Sequence, residues 1–505
     1  INFIFGCHSH QPVGNFDFVF EEGFQKAYLP FIEVLERFPA VHVTLHFTGP
    51  LLDWFAAKQP AFLKRLAGLV QKGQVEIMGG GFYEPMLCAI PERDAIAQIK
   101  RMQDFCEAHF GARPEGMWLA ERVWEPRMAR VLNEAGVKYA ALDDTHFLCS
   151  GLTPEEMFGY HMTEDEGRSV AIFPILEKLR YTVPFHQVHE TIDFLRENAT
   201  EDGLRCAVLH DDGEKFGTWP GTYHSVYEEG WLEEFFTALT DNQDWLHCLT
   251  YAEYRAKASA QGLTYLTCAS YEEMMGWALP TPMQRRLDGI REELKHDPDR
   301  ANRYNLFIRG GFWRNFLAKY PEANNIQKRM LRVSNRLDRL RAKAVATNAA
   351  MTHAEQRLSS AQSAATQLQG KQEELDAVRN ELESANRQLE EAEKLLHEGQ
   401  CNCAYWHGVF GGLYLNHLRS AVYERLIAAD AVMDAMENLN ETKVSLEDFD
   451  GDGNDEAILE NKKLALFLNP GDGGTLFELD YKPKPYNFLN TLTRREEPYH
   501  DALRH

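Results

Sequence analysis

Over the first 275 residues, seven short apolar runs alternate with longer amphipathic segments, and this alternation limits the fold more than any other feature. The runs are residues 2–5, 41–47, 75–78, 117–120, 139–142, 170–173 and 207–209. Short apolar strands separated by helix-period segments pair as a parallel sheet covered by helices. Most runs end in polar residues: His8 and His10 after the first, Glu121 after the fourth, Asp143 and Asp144 after the fifth, and His210, Asp211 and Asp212 after the last, while Glu76 lies within the third. In a parallel (β/α) barrel the loops at the C-terminal strand ends converge on one axis, so chemistry gathers there. Seven runs predict an α/β fold with an incomplete (β/α)7 TIM-like barrel over residues 1–275.

A chain of 505 residues exceeds what one core serves, which predicts further domains. Residues 276–436 read as a helical region completing the active site. Between about 342 and 398 it has no Pro, Phe, Tyr or Trp and one Gly, Gly370. Apolar or small residues recur every seven positions through Leu340, Thr347, Ala354, Ala361, Leu368, Leu375, Leu382, Leu389 and Leu396, a coiled-coil repeat. The companion positions change side at Gln369 and Gly370, as a turn between two antiparallel helices would require, since Gly ends helices cheaply. A coiled-coil hairpin insertion over about 344–396 is therefore expected, with a homo-oligomer through that hairpin as its use; one long helix in an intermolecular coil is the alternative. Residues 437–505 are β-rich but too few for a sandwich of about 100 residues, and read as the start of a C-terminal β-sandwich, incomplete in this chain.

Asp and Glu at 76 against Lys and Arg at 53 give a net charge of −23, which repels phosphate backbones and anionic lipid alike. No nucleic acid and no membrane partner is expected, and no run approaches the roughly 20 apolar residues of a membrane helix. Residues 1–6 read as a core strand, without the basic region or cleavage site of a signal peptide. Nine cysteines scattered through apolar stretches fit reduced thiols and a cytoplasmic location.

The strand ends carry an excess of carboxylates interleaved with aromatics, Trp118, Trp124 and Trp219 among them. That mixture suits a neutral polyhydroxylated ligand, whose rings stack and whose hydroxyls hydrogen-bond. Paired carboxylates are also what glycoside cleavage needs, one ionised and one holding a proton. The same residues have plainer readings: Glu121 as an N-cap or partner of Arg122, Asp211 and Asp212 as helix caps, the tryptophans as core. Glu121 stands directly after a buried strand, which favours catalysis.

Five stretches occur in order: HQP at 10–12, GQVEIMGGGFYEP at 73–85, WLAERVWEP at 118–126, HDDGEKFGTWPGTY at 210–223 and QCNCAYWHGVFGGLY at 400–414. Together they resemble the signature regions of glycoside hydrolase family 57, and most closely its 4-alpha-glucanotransferase branch. The resemblance implies a retaining enzyme on a (β/α)7 barrel acting on α-1,4-glucans or maltooligosaccharides, with α-amylase-type hydrolysis as the alternative outcome. It places the nucleophile at Glu121 and the general acid/base at Asp212, with no cofactor required for catalysis. His10, Glu76, Glu214 and Trp406 fall on sugar-binding positions, and Trp118 and Trp219 join them as aromatic candidates. Cys403 stands where that branch carries Asp.

A separate stretch, DFDGDGNDE at 448–456, places Asp448, Asp450, Asp452 and Glu456 as at the start of a calcium loop, without the acid at its twelfth position. A structural calcium there is one reading and an acidic turn the other. Two further functions compete with glucan chemistry. One is a metal-dependent deacetylase using His8, His10, Asp143, Asp144 and Asp211 as ligands. The other is a non-catalytic sugar-binding scaffold.

Overall fold

The computed structural model describes residues 1–360 and 365–503, and the chain forms two compact units. The first holds residues 1–319, 406–412 and those from 495 onward; the second holds 320–405 and 413–494. The boundary thus falls at 319/320 and not at 275/276 or 436/437. Side chains explain the shift: Trp313 Nε1 donates to Glu125 at 3.2 Å, Lys319 Nζ donates to the Trp277 carbonyl at 2.9 Å, and Arg285 pairs with Asp501 at 2.6 Å.

All seven apolar runs form strands in the first unit: β1 (Asn2–Ser9), β2 (Val43–Phe47), β3 (Val75–Ile77), β4 (Gly116–Trp118), β5 (Tyr139–Asp143), β7 (Arg168–Ile175) and β8 (Cys206–Asp212). The periodicity missed β6 (His161–Asp165), which is antiparallel to β7, and β9 (His247–Cys248), which pairs with the start of β1. One sheet runs β3-β2-β1-β8 and the other β4-β5-β7-β6. A parallel bridge links Gly79, just past β3, to Met117 of β4, and the Leu176 N–H just past β7 donates to the Val208 carbonyl of β8 at 2.9 Å. β1 is buried along its whole length, as a strand with both faces covered must be. Between the sheets, Ile4, Trp118, Tyr139, Phe173, Val208 and Tyr251 pack into one apolar cluster.

The second unit pairs long helices with an antiparallel sheet. Helices Pro321–Ser360 and Ala365–Gly399 pack together, and the second also packs along Asn416–Met436. Gly370, expected at a turn, lies inside the helix Ala365–Gly399, since one interior Gly costs a helix only about 1 kcal/mol. Residues 361–364 fall outside the described residues. The heptad positions Leu337, Leu340, Leu382, Leu389, Ala392 and Leu396 are buried within this chain, so this part of the seam needs no second copy to cover it. The sheet runs β12 (Lys443–Glu447), β13 (Glu456–Glu460), β14 (Leu464–Asn469), β15 (Thr475–Tyr481) and β16 (Tyr486–Asn487), a single sheet among the described residues and not two.

Arg329, on the helix Pro321–Ser360, is fully buried against Asp430 at 2.5 Å, Glu478 at 2.8 Å and Asp480 at 3.1 Å. Arg336, two turns on, reaches Asp430 and Asp434, and Arg332 between them reaches Glu447 and Glu460. Even so, burial and the neighbouring Asp480 hold the Glu478 carboxyl well above its ordinary range. Breaking a buried ion pair by deleting one partner leaves the other charged and desolvated, at about 3–5 kcal/mol. Arg329→Met should cost that much in urea unfolding. Arg113→Met, whose partners Asp104 and Glu107 are both solvent-accessible, should cost clearly less.

Candidate active site

Among the described residues, three of the five non-glycine residues with left-handed backbone, Glu84 (φ 51°), Glu121 (φ 54°) and Arg122 (φ 47°), belong to one site. Such conformations are unfavourable for side-chain-bearing residues and persist where the surroundings fix them, often at functional centres. Here β4 ends at Trp118, a short turn over Ala120–Arg122 follows, and Glu121 is turned into the site while Arg122 enters the interior.

Asp143, at the end of β5, and Asp211, near the end of β8, organise that interior. Arg122 Nε meets Asp143 at 2.9 Å; Arg180 bridges Asp143 at 2.7 Å and Asp211 at 3.2 Å; Lys215 also pairs with Asp211. Burial opposes ionisation of Asp211, but Arg180, Lys215 and Arg122 outweigh it and hold the carboxyl well below the usual range. Asp211 Oδ1 in turn accepts the N–H of Asp212 at 2.9 Å, which fixes the backbone from which the Asp212 side chain departs.

Glu121 Oε2 accepts the Tyr271 hydroxyl at 2.8 Å. Burial pushes the Glu121 carboxyl up, the charges of Glu84 and Asp212 add to the rise, and Arg122 and the Tyr271 hydrogen bond oppose it. The two predicted catalytic acids therefore sense each other. Asp212 also raises Glu214, whose largest perturbation is burial.

Glu84 is buried between two imidazoles, with His8 Nε2 on one oxygen at 2.9 Å and His10 Nδ1 on the other. Burial works against its charge, yet His10 and His8 prevail and keep it well below the ordinary carboxylate range. His8 Nδ1 faces His46 Nδ1 at 2.8 Å, and burial pushes His46 well down. His10 also donates its backbone N–H to Glu214 Oε1 at 2.9 Å, the same oxygen that accepts the Tyr28 hydroxyl at 2.5 Å. Ligand atoms of His8, His10 and Glu84 lie within 4.8 Å of one another, close enough to share a cation.

The predicted residues divide accordingly. Glu121, Asp212, His10 and Glu214 are brought together with Glu84. Trp118 is not a sugar platform: it is 2% exposed, parallel to His8 at 4.6 Å and tilted against His210 at 4.6 Å, packed between those rings. Glu76 is turned to protein groups, accepting from Tyr139, from Thr44 at 3.3 Å and from the Ala252 N–H at 3.2 Å. Trp219 and Trp406 both belong to this unit; Trp406 lies parallel to Trp277 at 6.1 Å. Cys403 belongs to the second unit. The deacetylase ligand set is not assembled, because Asp143 and Asp211 are taken by arginines and lysine and Asp144 accepts the Glu177 N–H at 2.9 Å. Reading the sequence gave no role to Glu84, Tyr271, Arg180 or His46. Glu84 carried a signal in GGGFYEP, whereas Tyr271 lies 150 residues from Glu121 with no motif around it.

In the calcium stretch, ligand atoms of Asp448, Asp450 and Glu456 also lie within 4.8 Å of one another. Asp452 is not of that group: its Oδ1 accepts the N–H of Asn454 at 2.7 Å, since the loop turns it outward. Glu456 is fully buried, and its Oε1 has no hydrogen-bond partner among the described residues.

Residues 4–267 match the family described as Glycosyl hydrolase family 57, segments 311–371 and 372–433 the Alpha-amylase/4-alpha-glucanotransferase middle domain, and 448–505 the corresponding C-terminal domain. The chain belongs to glycosyl hydrolase family 57. It is 43% identical to a 4-alpha-glucanotransferase of Thermococcus litoralis over 99% of this chain and 67% of that protein. It is 41% identical to an alpha-amylase of Pyrococcus horikoshii over 99% and 70%. The crystal structure of the T. litoralis enzyme superposes with a TM-score of 0.85 at 42% identity, covering 99% of this chain and 70% of that one. The chain thus spans about two thirds of the length of these relatives.

The Tyr271 hydroxyl stabilises the charged form of Glu121, and hydrogen bonds to charged groups contribute about 1.5–3 kcal/mol. Tyr271→Phe should therefore raise the Glu121 pKa further. The acid limb of the pH profile of kcat/KM on maltotriose should move upward, with the alkaline limb in place.

Proposed function

We propose that this protein is a retaining glycoside hydrolase and transglycosylase of α-1,4-glucans, chiefly a 4-alpha-glucanotransferase, working through a covalent glycosyl-enzyme. The observation that carries it is the pairing of Glu121, held left-handed after β4, with Asp212 at the end of β8, each one residue from a buried ion-pair network. The names of the relatives and the matched domains support the substrate class. The seven parallel strands are read as one incomplete (β/α)7 barrel, closed where Gly79 meets Met117 and where Leu176 meets Val208, with the site at the C-terminal strand ends.

In this reading the Glu121 carboxylate attacks the anomeric carbon as Asp212 gives its proton to the departing glycosidic oxygen. Asp212, now a carboxylate, takes a proton from the incoming hydroxyl as that oxygen displaces Glu121. Ionised Glu121 is required for the first step although burial opposes it. Arg122 and Tyr271 supply the compensation. His10, aligned by Glu84, and Glu214 offer hydrogen bonds to sugar hydroxyls. The conversion of one maltooligosaccharide into another and its cleavage by water share the same intermediate.

Glu121→Gln keeps the shape but removes the nucleophile, and should lower turnover by about three orders of magnitude or more while maltooligosaccharide binding persists. On maltotriose the unsubstituted protein should yield both longer and shorter oligosaccharides, with the first-formed free anomer α by NMR. Glucose and maltose alone would make it an amylase, and a β anomer would refute retention.

We also propose a structural cation, calcium by its oxygen donors, at Asp448, Asp450 and Glu456. Burial raises the carboxyls of Asp450 and Glu456, repulsion from neighbouring aspartates adds to it, and a divalent ion would offset the repulsion. Calcium at about 100 times its Kd should stabilise the fold by about 2.7 kcal/mol, seen as a higher Tm. Glu456→Gln should abolish the rise.

A further inference from the structure

The hairpin β10 (His407–Gly408) and β11 (Gly411–Gly412) carries Val409 and Phe410 at its two-residue tip, 55% and 74% exposed. Large apolar residues at a solvent-facing turn contribute nothing to a core, and the residues flanking this tip are fixed by their neighbours. Gly408 leaves no room for a side chain, since an added Cβ would come within 2.7 Å of Trp277, and Gly411 (φ 116°) and Gly412 (φ 73°) need the glycine backbone. His407 bonds the Gly411 carbonyl and, through Nε2, the Tyr499 hydroxyl at 2.9 Å.

So held, the Phe410 ring joins two aromatic series from opposite sides of the site. On one side Glu121 accepts from Tyr271, Tyr271 meets Trp277 edge-on at 6.0 Å, and Trp277 meets Phe410 at 6.5 Å. On the other side Phe410 meets Trp219 at 5.9 Å, and Lys215, the ion-pair partner of Asp211, sits 5.2 Å over Trp219. The aromatic path thus runs from the nucleophile to the neighbour of the general acid/base, with Phe410 its exposed link.

Resting on the function proposed above, we propose that Phe410 is a platform for the incoming acceptor sugar, and that it sets how the glycosyl-enzyme divides between a sugar hydroxyl and water. In either branch the bond between the anomeric carbon and the Glu121 oxygen breaks, a bond from that carbon to the acceptor oxygen forms, and the acceptor proton passes to Asp212. An exposed ring face offers the apolar side of a pyranose a stacking surface and displaces water from the line of attack.

The test uses the full chain with maltotriose as donor and added glucose as acceptor, measuring transfer products against net new reducing ends. Phe410→Ala should lower the ratio of transfer to hydrolysis about five- to tenfold, the range one ring stack supplies, and raise the half-saturating glucose concentration similarly. Phe410→Tyr should restore both to within about twofold. Phe410→Leu, which keeps the apolar contact without the ring face, should behave as Ala does, and it carries the test if the Ala variant melts early. An unchanged ratio, or a ratio that falls without recovery in the Tyr variant, would overturn the proposal. So would a change confined to the KM for maltotriose, which would make the ring a donor site. Maltotriose consumption by the unsubstituted protein with an unaltered ratio in the variants rejects the platform alone; no consumption at all rejects the function and the platform with it.

Discussion

Two buried carboxylates, Asp143 and Asp211, share three cations, Arg122, Arg180 and Lys215, and the site depends on that arrangement. The cluster carries one positive charge in excess. Burial alone would leave Glu121 reluctant to ionise, and the Arg122 cation close by opposes that. Position matters as much as charge. Arg122 is bonded to Glu121 in the chain and Asp211 to Asp212, so fixing the ion pairs fixes the backbone one residue from each proposed catalytic acid. A cluster of this kind adds little to stability, because desolvation offsets its attraction, and its use is geometric.

The histidine and carboxylate layer next to it follows the same logic. Trp118, packed between His8 and His210, holds the imidazole that orients Glu84, and Glu84 holds His10. A residue that resembles a sugar platform in sequence thus acts through others. Trp219 and Phe410 instead keep aromatic surface exposed.

The second unit repeats the use of buried cations. Arg329, Arg332 and Arg336 recur at helical spacing on one face of a long helix and meet acids from another helix and from the sheet. The heptad seam that would otherwise invite a second copy is closed in its described part by helices of the same chain. Inside such a packed seam, a local helix breaker such as Gly370 does not decide where the helix ends.

Local sequence determined much of this protein. The apolar alternation specified seven strands because parallel strands with both faces covered read as short, mostly apolar runs, and the WLAERVWEP and HDDGEKFG stretches marked Glu121 and Asp212 because each lies at or beside a strand end in one short segment. The carboxylates of the acidic stretch at 448–456 lie within nine residues, so their clustering needs no distant partner. Tertiary structure alone decided the rest. Tyr271 reaches Glu121 across 150 residues, Arg180 joins two strands that are distant in sequence, and Glu76 and Trp118 are turned inward by their places in the sheet. Periodicity records which face a residue takes relative to its neighbours, but not which distant side chain waits there. Ion pairing, hydrogen bonding and stacking are settled only when the strands close.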